Sequence, residues 1–267
     1  MSDKKATGLF QIRRDIPKNV ANTIMLSTFG LLVLAWFIGS NFSGIDHIFL
    51  PTPQATFKAM VVEFQNGTLR ADIRVSCCRV LVGFLISVAI GVPVGVLAGT
   101  FKIVSCVTKP LIGFFRYLPV SSLIPLIMVW TGVGEAAKIT IIVVGTLFSL
   151  ITMISDVAKS VSMDLIGSAY TLGATRRQVI MKVIVPAMMP AMMDNLRTLM
   201  GWAWTYLVMA EMLASSSGLG YSIMIAERFM KTYVIFMGIF VIGLLGLIID
   251  KAFALVNMLL FHWASEE

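Results

Sequence analysis

Residues 80–99 read VLVGFLISVAIGVPVGVLAG, a run of apolar and small residues that contains no charged side chain. A transmembrane α-helix needs about 20 predominantly apolar residues to cross roughly 30 Å of hydrocarbon. This run has that length, and it opens directly after Arg79. We therefore predict that residues 80–99 form a helix that crosses a membrane.

The composition of the whole chain supports the same conclusion. Of its 267 residues, 58% are hydrophobic and 13% are charged, and the mean hydropathy is +0.90. In ordinary soluble domains about 45–50% of the residues are hydrophobic and about 25% are charged. No water-soluble fold of this size has enough interior to bury the additional apolar surface of this chain. The chain is therefore not a soluble enzyme, a disordered protein or a disulfide-stapled secreted domain. Its three cysteines lack CxxC spacing, which predicts neither a disulfide framework nor a zinc site.

Five further apolar stretches have the composition of membrane spans, at about residues 22–40, 104–130, 139–154, 191–212 and 234–260. The stretch 104–130 is broken by Pro110, Pro119 and Pro125, so it is either one span or a helix with a re-entrant piece. We predict an all-α integral membrane protein with about six transmembrane helices, while five or seven stay open. Residues 1–21 form a tail, and residues 22–267 form one transmembrane domain.

The basic residues predict the orientation of the spans. The chain carries 21 Lys and Arg against 14 Asp and Glu, and such an excess collects in the cytoplasmic loops of membrane proteins. Five bases lie in the tail 1–21, and four more, Lys159, Arg176, Arg177 and Lys182, lie in the connection 158–190. With six spans these two segments share one side, which predicts that both termini are cytoplasmic. No basic stripe is interleaved with aromatic residues, so we expect no nucleic-acid partner.

Residues 42–78, between the first two spans, are too polar to cross the membrane. Pro51 and Pro53 forbid a regular helix at that point. The apolar residues that follow repeat at helical spacing, namely Phe57, Met60, Val61 and Phe64. This pattern predicts a short amphipathic helix over 54–64 that lies on the bilayer surface.

The connection 158–190, called here the 158–190 loop, carries the most information about function. Ser162 is a candidate N-cap for a short helix, and Gly173 is suited to end that helix because glycine accepts a left-handed conformation. Thr175 and Gln178 form a T-x-x-Q capping box that starts a second helix. Pro186 ends this second helix or bends it into the next span. The sequence thus predicts a helix, a sharp glycine turn and a second helix on the cytoplasmic side.

A lone amphipathic loop of this kind commonly lies on the lipid surface, and that alternative stays open from the pattern alone. The layout nevertheless resembles the EAA loop of ABC importer permeases, which reads E-A-A, three residues, G, nine residues, I-x-L-P. The matching positions are Gly167, Ser168, Ala169, Gly173, Val183, Val185 and Pro186. Residues 172–175 also match the common form Leu-Gly-Ala-Ser/Thr. Gly167 replaces the glutamate of the motif, so a salt bridge from that glutamate is not carried over to this chain.

Further stretches resemble motifs of the nitrate/sulfonate/taurine/bicarbonate-type branch of these permeases, and they extend along nearly the whole chain. They are Leu50-Pro51-Thr52-Pro53, Ser76 with Arg79-Val80-Leu81-Val82-Gly83-Phe84, Phe115-Arg116-Tyr117-Leu118-Pro119, Ile124-Pro125-Leu126, Gly132-Val133-Gly134-Glu135 with Lys138, Ala210-Glu211-Met212 and Gly218-Leu219-Gly220-Tyr221. Together they identify the chain as similar to the permease subunit of a type I ABC importer.

That resemblance implies partners and a location. Such a permease lies in the bacterial inner membrane and pairs with a second copy or a homologue. It also works with two cytoplasmic ABC ATPases and an extracytoplasmic solute-binding protein. This chain has no GxxxxGK[ST] phosphate loop, so we expect it to be non-catalytic and to bind no cofactor. ATP and Mg would be used by the partner ATPase, and the solute would be a small oxyanion or sulfonate.

The resemblance also implies which residues couple the permease to its ATPases. The short helix of the 158–190 loop would receive the motion of the ATPase, and the turn behind it would transmit that motion to the spans. The residues carried over to this role are Asp164, Ser168, Ala169, Leu172, Gly173, Ala174 and Pro186.

Polar and aromatic residues within the spans are candidates for the solute pathway. Charges inside the membrane usually face a cavity or a partner, and Arg116 either attracts an anion there or only snorkels to the interface. Glu211 either lines the pathway or pairs with a base such as Arg79 or Arg228. The full set of pathway candidates is Arg116, Ser121, Ser122, Trp202, Tyr206 and Glu211.

Two other classes of protein compete with this interpretation. An intramembrane hydrolase needs a nucleophile and a base at membrane depth, but the only histidines, His47 and His262, lie near span ends. A secondary transporter or channel is the stronger alternative, because broken helices also occur in those proteins. Such a protein would work without an ATPase and would not need the capped double helix of the 158–190 loop.

Overall fold

The structure is a computed structural model that describes residues 17–261, so most of the predicted tail and His262 lie outside the described residues. Within the described range every regular element is helical. The helices are α1 (Lys18–Phe42), α2 (Pro53–Gln65), α3 (Thr68–Thr100), α4 (Lys102–Arg116), α5 (Val120–Thr131), α6 (Glu135–Ser160), α7 (Met163–Thr171), α8 (Arg176–Val179), a π-helical turn (Ile180–Ile184), α9 (Val185–Ala214), α10 (Leu219–Arg228) and α11 (Thr232–Leu260).

Five of these helical stretches are long and apolar enough to cross a membrane, namely Asn19–Phe42, Thr68–Thr100, Glu135–Ser160, Arg176–Leu213 and Thr232–Leu260. The helices α4 and α5 meet the same test as a pair, and they are bent by 100° with respect to each other. The described residues therefore contain five spans, or six if the bent pair counts as one. The all-α membrane fold is confirmed, and residues 17–261 do not contain the seven spans that the sequence left open.

The prolines of the bent region act differently from the prediction. Only Pro119 lies at the break, where it is the N-cap residue of α5. Pro110 and Pro125 lie inside α4 and α5, so the prediction that all three break the helix is wrong. A proline removes one backbone hydrogen bond, and neighbouring helices can compensate for that loss in membrane proteins.

Close packing between α3 and α6 forms the centre of the molecule. Small residues recur every four positions along one face of α3, at Gly83, Ser87, Gly91, Gly95 and Gly99. A Cβ atom added at Gly95 would lie 2.7 Å from the Cβ of Ile154, so the two backbones approach as closely as glycine allows. Such small-residue stripes are typical of helix contacts in membranes, where apolar burial gives no driving force.

The two helices run parallel with a constant register. The hydroxyls of Ser87 and Thr146 form a buried hydrogen bond of 2.7 Å, and Gly91 lies against Leu150 one turn further on. Helix α9 packs on the other side of α6, where the ring of Tyr206 covers Gly145. We call the end of the bundle where α6 ends and α9 begins the α7 end, and the other end the opposite end.

The predicted helix over 54–64 is confirmed as α2. Thr52 caps it by accepting a hydrogen bond from the backbone N–H of Ala55, and Pro53 occupies the first helical position, where its missing N–H costs nothing. Helix α2 packs on α11 at the opposite end. Helix α1 is almost wholly exposed, and Trp36 joins it to the bundle by stacking on Phe236 of α11.

Candidate functional site

Helix α7 begins at the predicted cap. The Ser162 hydroxyl accepts a hydrogen bond of 3.2 Å from the backbone N–H of Asp164. Asp164 lies in the first turn, where a negative charge is favoured by the helix dipole. Ser168 donates its hydroxyl to the Asp164 carbonyl at 2.8 Å, one turn earlier. The Ser168 hydroxyl therefore satisfies a carbonyl of its own helix, and the side chains of both Asp164 and Ser168 lie on the exposed surface of α7.

One side of α7 packs on the bundle and the other is uncovered. Ile166 and Ala169 contact the hydrophobic core, as does Ala174 after the helix. Met163 and Leu172 are 74% and 88% exposed, although both are apolar. The uncovered side is thus an apolar surface at the α7 end, and its position relative to the bundle is fixed by the packed side.

A Schellman motif ends α7. Gly173 has a φ of +81°, in the left-handed region that glycine adopts without strain. Its N–H donates to the Tyr170 carbonyl at 2.9 Å, and the Ala174 N–H donates to the Ala169 carbonyl at 3.0 Å. These two bonds are the pair that defines the motif. The predicted role of Gly173 as the residue that ends the helix is confirmed.

The second half of the turn contains the predicted capping box. Gln178 accepts a hydrogen bond of 2.8 Å from the Thr175 N–H, and the Gln178 N–H donates to the Thr175 hydroxyl. Helix α8 then continues through the π-helical turn into α9. The alternative that Pro186 ends this helix is wrong, because the wider π-turn lets the Val185 N–H reach back to the Ile180 carbonyl just before the proline.

The pathway candidates divide by exposure and do not meet. Arg116, Ser121, Ser122 and Trp202 are exposed, and the Ser122 hydroxyl donates to the Pro119 carbonyl. Tyr206 is half-buried against α6, and Glu211 is fully buried. No hydrogen bond or ion pair joins any two of the six within residues 17–261, so the structure does not assemble them into one site.

Glu211 instead belongs to a buried ionic cluster at the opposite end. The Arg79 guanidinium binds Glu211 Oε1 through Nη1 at 2.8 Å and both oxygens of Glu135 through Nε and Nη2 at 2.6 and 2.5 Å. Lys138 also contacts Glu135, at 2.8 Å. Of the two bases considered for Glu211, the structure has Arg79. The three spans α3, α6 and α9 are joined at this point by charge.

The start of α10 completes the cluster. The Glu211 carboxylate accepts hydrogen bonds from the Ser76 hydroxyl at 2.8 Å and from the Gly220 N–H at 2.8 Å. A Cβ atom added at Gly220 would lie 2.8 Å from the Val208 carbonyl oxygen. Only glycine therefore lets this backbone N–H come within hydrogen-bond distance of the Glu211 carboxylate. Asp72 accepts the Gly218 N–H at 2.9 Å. These bonds tie the loop after α9 to α3.

The sequence suggested Arg79 as one of two partners for Glu211, but Glu135, Lys138 and Gly220 were not expected at the same site, although a signal was present. Four of the quoted motif stretches contribute to the cluster: the stretch with Arg79, the one with Glu135 and Lys138, the one with Glu211, and the one with Gly218 and Gly220. Charged residues that recur in otherwise apolar spans need partners, and that rule could have paired them.

A second interhelical ion pair joins α9 to α11. Arg197 binds both carboxylate oxygens of Asp250, and Asn257 donates to Asp194 at 3.1 Å one to two turns closer to the α7 end. Both residues of the ion pair are about two-fifths exposed, so this link is more open to its surroundings than the pair of Arg79 and Glu211. Helix α9 is therefore anchored to its neighbours at two levels.

The sequence is similar to a family of transport proteins and to individual permeases. Residues 91–260 match the family described as binding-protein-dependent transport system inner membrane component. A probable ABC transporter permease protein of Brucella melitensis is 34% identical over 242 residues, which cover 89% of this chain and 98% of the relative. The taurine transport system permease protein TauC of Escherichia coli is 29% identical over 91% of this chain and 90% of its own length.

Two further similarities concern a sulfonate relative and the fold. A putative aliphatic sulfonates transport permease protein of Bacillus subtilis is 31% identical and covers 88% of this chain and 85% of its own length. An inward-facing structure of the MetNI methionine ABC transporter matches with a TM-score of 0.56 and 22% identity, over 72% of this chain and 98% of that chain. The latter match supports the helical architecture.

Proposed function

The chain belongs to the family of binding-protein-dependent transport system inner membrane components, as an ABC importer permease of the nitrate/sulfonate/taurine-type branch, and we propose that it forms the solute pathway of an ATP-driven importer. Its cargo is a small sulfonate or a related oxyanion, delivered by an extracytoplasmic binding protein. The names of the taurine and sulfonate relatives support this class of solute. ATP hydrolysis occurs on two partner ATPases, and a second permease copy or homologue completes the pathway.

The uncovered side of α7 carries the proposal. Leu172 and Met163 are apolar and 88% and 74% exposed on the same short helix at the α7 end, and an exposed apolar surface of this kind is typical of a site that contacts a partner. The Ser162 cap on the Asp164 N–H, the hydrogen bond from Ser168 to the Asp164 carbonyl and the left-handed turn at Gly173 hold that surface in place. We assign this surface to the ATPase, which places the α7 end and both termini in the cytoplasm. If α7 instead lies on the lipid surface, substitution of its exposed apolar residues will not change ATPase binding.

The proposed mechanism is mechanical. Closure of the ATPases on ATP displaces α7, and the Schellman turn passes the displacement to the continuous helix Arg176–Leu213. At the far end of that helix Glu211 is bonded to Arg79 and to the start of α10. A push at the α7 end is therefore delivered to the contact among α3, α6 and α9 at the opposite end, where the solute enters.

The solute pathway is assigned to the exposed candidates. Arg116, Ser121, Ser122 and Trp202 have side-chain surface free to contact a solute. Tyr206 and Glu211 contact a solute only if the packing on Gly145 or the ionic cluster opens during the cycle.

Co-purification tests this function directly. The tagged chain is extracted from membranes of its host in a mild detergent, and the bound subunits are identified by mass spectrometry. We expect an ABC ATPase to co-purify with the unmodified chain and with Val133→Asp, which changes an apolar residue that is 74% exposed at the opposite end. Leu172→Asp should lose the ATPase.

The rival function predicts different results. If the chain were a secondary transporter or channel, vesicles that contain it alone would take up solute without ATP, and Leu172→Asp would leave that uptake unchanged. If no ATPase accompanies the unmodified chain and such uptake is observed, the proposed function is wrong.

A further inference from the structure

A cavity of about 300 Å³ opens between α4 and the part of α6 nearest the α7 end. The polar lining residues from α4 are Thr108, Lys109 and Arg116, and those from α6 are Thr152, Ser155, Asp156 and Lys159. Because α6 ends at Ser160, the cavity lies close to the membrane surface on the side of the 158–190 loop. It is separate from the buried ionic cluster, which lies at the other end of α6.

Positive charge in this cavity exceeds negative charge. Asp156 is the one carboxylate in the lining, and Lys159 pairs with it at 3.0 Å. Lys109 and Arg116 have no ion-pair partner in the part of the chain that the structure describes. The only polar contact of Arg116 there is a long hydrogen bond of 3.4 Å to the hydroxyl of its neighbour Tyr117. The cavity thus carries two positive charges that the described residues leave without a counter-ion.

The two cations without a counter-ion share one face of α4. Lys109 and Arg116 are seven residues apart, so they lie on the same face of α4, and both line the cavity. The other face of α4 presents Ile103, Val107 and Leu111, which are 57% to 76% exposed. The helix therefore turns its apolar side outward and its charged side toward α6. Both side chains keep exposed surface while they line the cavity, so their charges are accessible to an anion that enters it.

The hydroxyls that line the cavity supply one more hydrogen-bond donor. The Thr108 and Thr152 hydroxyls donate to the Val104 and Phe148 carbonyls of their own helices, at 2.8 and 3.1 Å, so both protons are already used. Ser155 is only 6% exposed, and its hydroxyl makes no hydrogen bond to any described residue. The Ser155 oxygen keeps accessible surface, so this hydroxyl is free to bind a ligand in the cavity. The unused donors of the cavity are thus a guanidinium, an ammonium and one hydroxyl.

We propose that this cavity binds one tetrahedral oxyanion, a phosphate or sulfonate group, between Lys109 and Arg116, with the Ser155 hydroxyl as a third donor. A guanidinium and an ammonium are the groups that bind phosphate and sulfonate oxygens best. The oxyanion comes either from the headgroup of an anionic phospholipid in the adjoining leaflet or from a free solute. Basic pockets between transmembrane helices at the cytoplasmic side are known to take such headgroups. The site shares Arg116 with the proposed solute pathway, but binding there can be measured without transport.

Thermal unfolding of the purified protein, together with any subunits that accompany it, tests the site in neutral detergent. Dioleoyl-phosphatidylglycerol is titrated against dioleoyl-phosphatidylcholine, and sodium sulfate against sodium chloride at equal ionic strength. The concentration dependence of the midpoint gives an apparent Kd. We expect phosphatidylglycerol, sulfate or both to raise the midpoint, with no effect of the matched neutral lipid or chloride.

Matched variants locate the binding. Arg116→Gln should weaken the apparent Kd about 10- to 100-fold, because it removes a charge-assisted hydrogen bond. Lys102→Gln removes the same charge from the same helix at a residue that does not line the cavity, and it should leave the Kd within about twofold. Ser155→Ala changes no charge and should weaken binding about two- to tenfold, so it remains informative if Arg116→Gln does not fold.

The two ligand arms distinguish the sources of the oxyanion. A response to phosphatidylglycerol alone assigns the site to a lipid headgroup, and a response to sulfate with the same dependence on Arg116 assigns it to a free oxyanion. The proposal is overturned if neither ligand shifts the midpoint of the unmodified protein, or if Lys102→Gln weakens binding as much as Arg116→Gln does. Because the readout is unfolding and not uptake, its failure is distinct from failure of the transport function.

Discussion

Removal of Arg79 is the most informative perturbation of this fold. Its guanidinium is the one cation that contacts Glu211 among the described residues, and the Glu211 side chain has no exposed surface. When one partner of a buried ion pair is removed, the remaining charge stays buried without compensation, at a cost of about 3–5 kcal/mol. We therefore expect Arg79→Met to lower the free energy of unfolding by that amount.

The two carboxylates should respond unequally, for a reason that the structure supplies. In Glu211→Gln, Arg79 keeps its bidentate contact to Glu135, so the loss should be smaller, about 1–3 kcal/mol. Glu135 is 58% exposed, and Glu135→Gln should cost about 1 kcal/mol or less, as open ion pairs do. The expected order of destabilisation is therefore Arg79→Met, then Glu211→Gln, then Glu135→Gln.

A double-mutant cycle completes the test. In Arg79→Met with Glu211→Gln the uncompensated charge is gone, so the double variant should lose less than the sum of the single variants, by about 0.5–3 kcal/mol. Unfolding is followed by helical circular dichroism as SDS is added to mixed micelles. Strict additivity of Arg79 and Glu211, or a loss for Glu135→Gln equal to that for Arg79→Met, would refute the assignment of Arg79 as the buried counter-ion.

Two further predictions concern glycines. Gly95→Leu places its Cβ 2.7 Å from the Cβ of Ile154 and should lower the free energy of unfolding in SDS by about 1–3 kcal/mol or more. Gly243→Leu is the control, because no atom lies within 4 Å of its added Cβ, and it should unfold at the same SDS fraction as the unmodified chain. Proline cannot adopt the φ of +81° that Gly173 has, so Gly173→Pro should insert into the membrane but abolish uptake and stimulated ATP hydrolysis in the assembled transporter. Gly167→Ala, on the exposed face of α7, is the control. Normal uptake by Gly173→Pro would contradict the coupling role of the turn.

Local features of the sequence predicted much of this structure. The spans follow from runs of apolar residues, because a helix in lipid satisfies its backbone within one segment. The 158–190 loop follows from Ser162, Gly173, Thr175 and Gln178, since a cap or a left-handed turn depends on residues at most five positions apart. Pro110 was misjudged because the cost of a proline depends on the neighbours that surround the helix.

Tertiary structure alone decided which distant residues meet. Arg79 lies 56 residues from Glu135 and 132 from Glu211 in the sequence. A charged residue in a span predicts that a partner exists, but it does not identify that partner. The glycines of α3 fix its register on α6 only because Ile142, Leu150 and Ile154 stand opposite them in space. Packing of whole helices brings these groups together, and no pattern within one segment encodes the position of another.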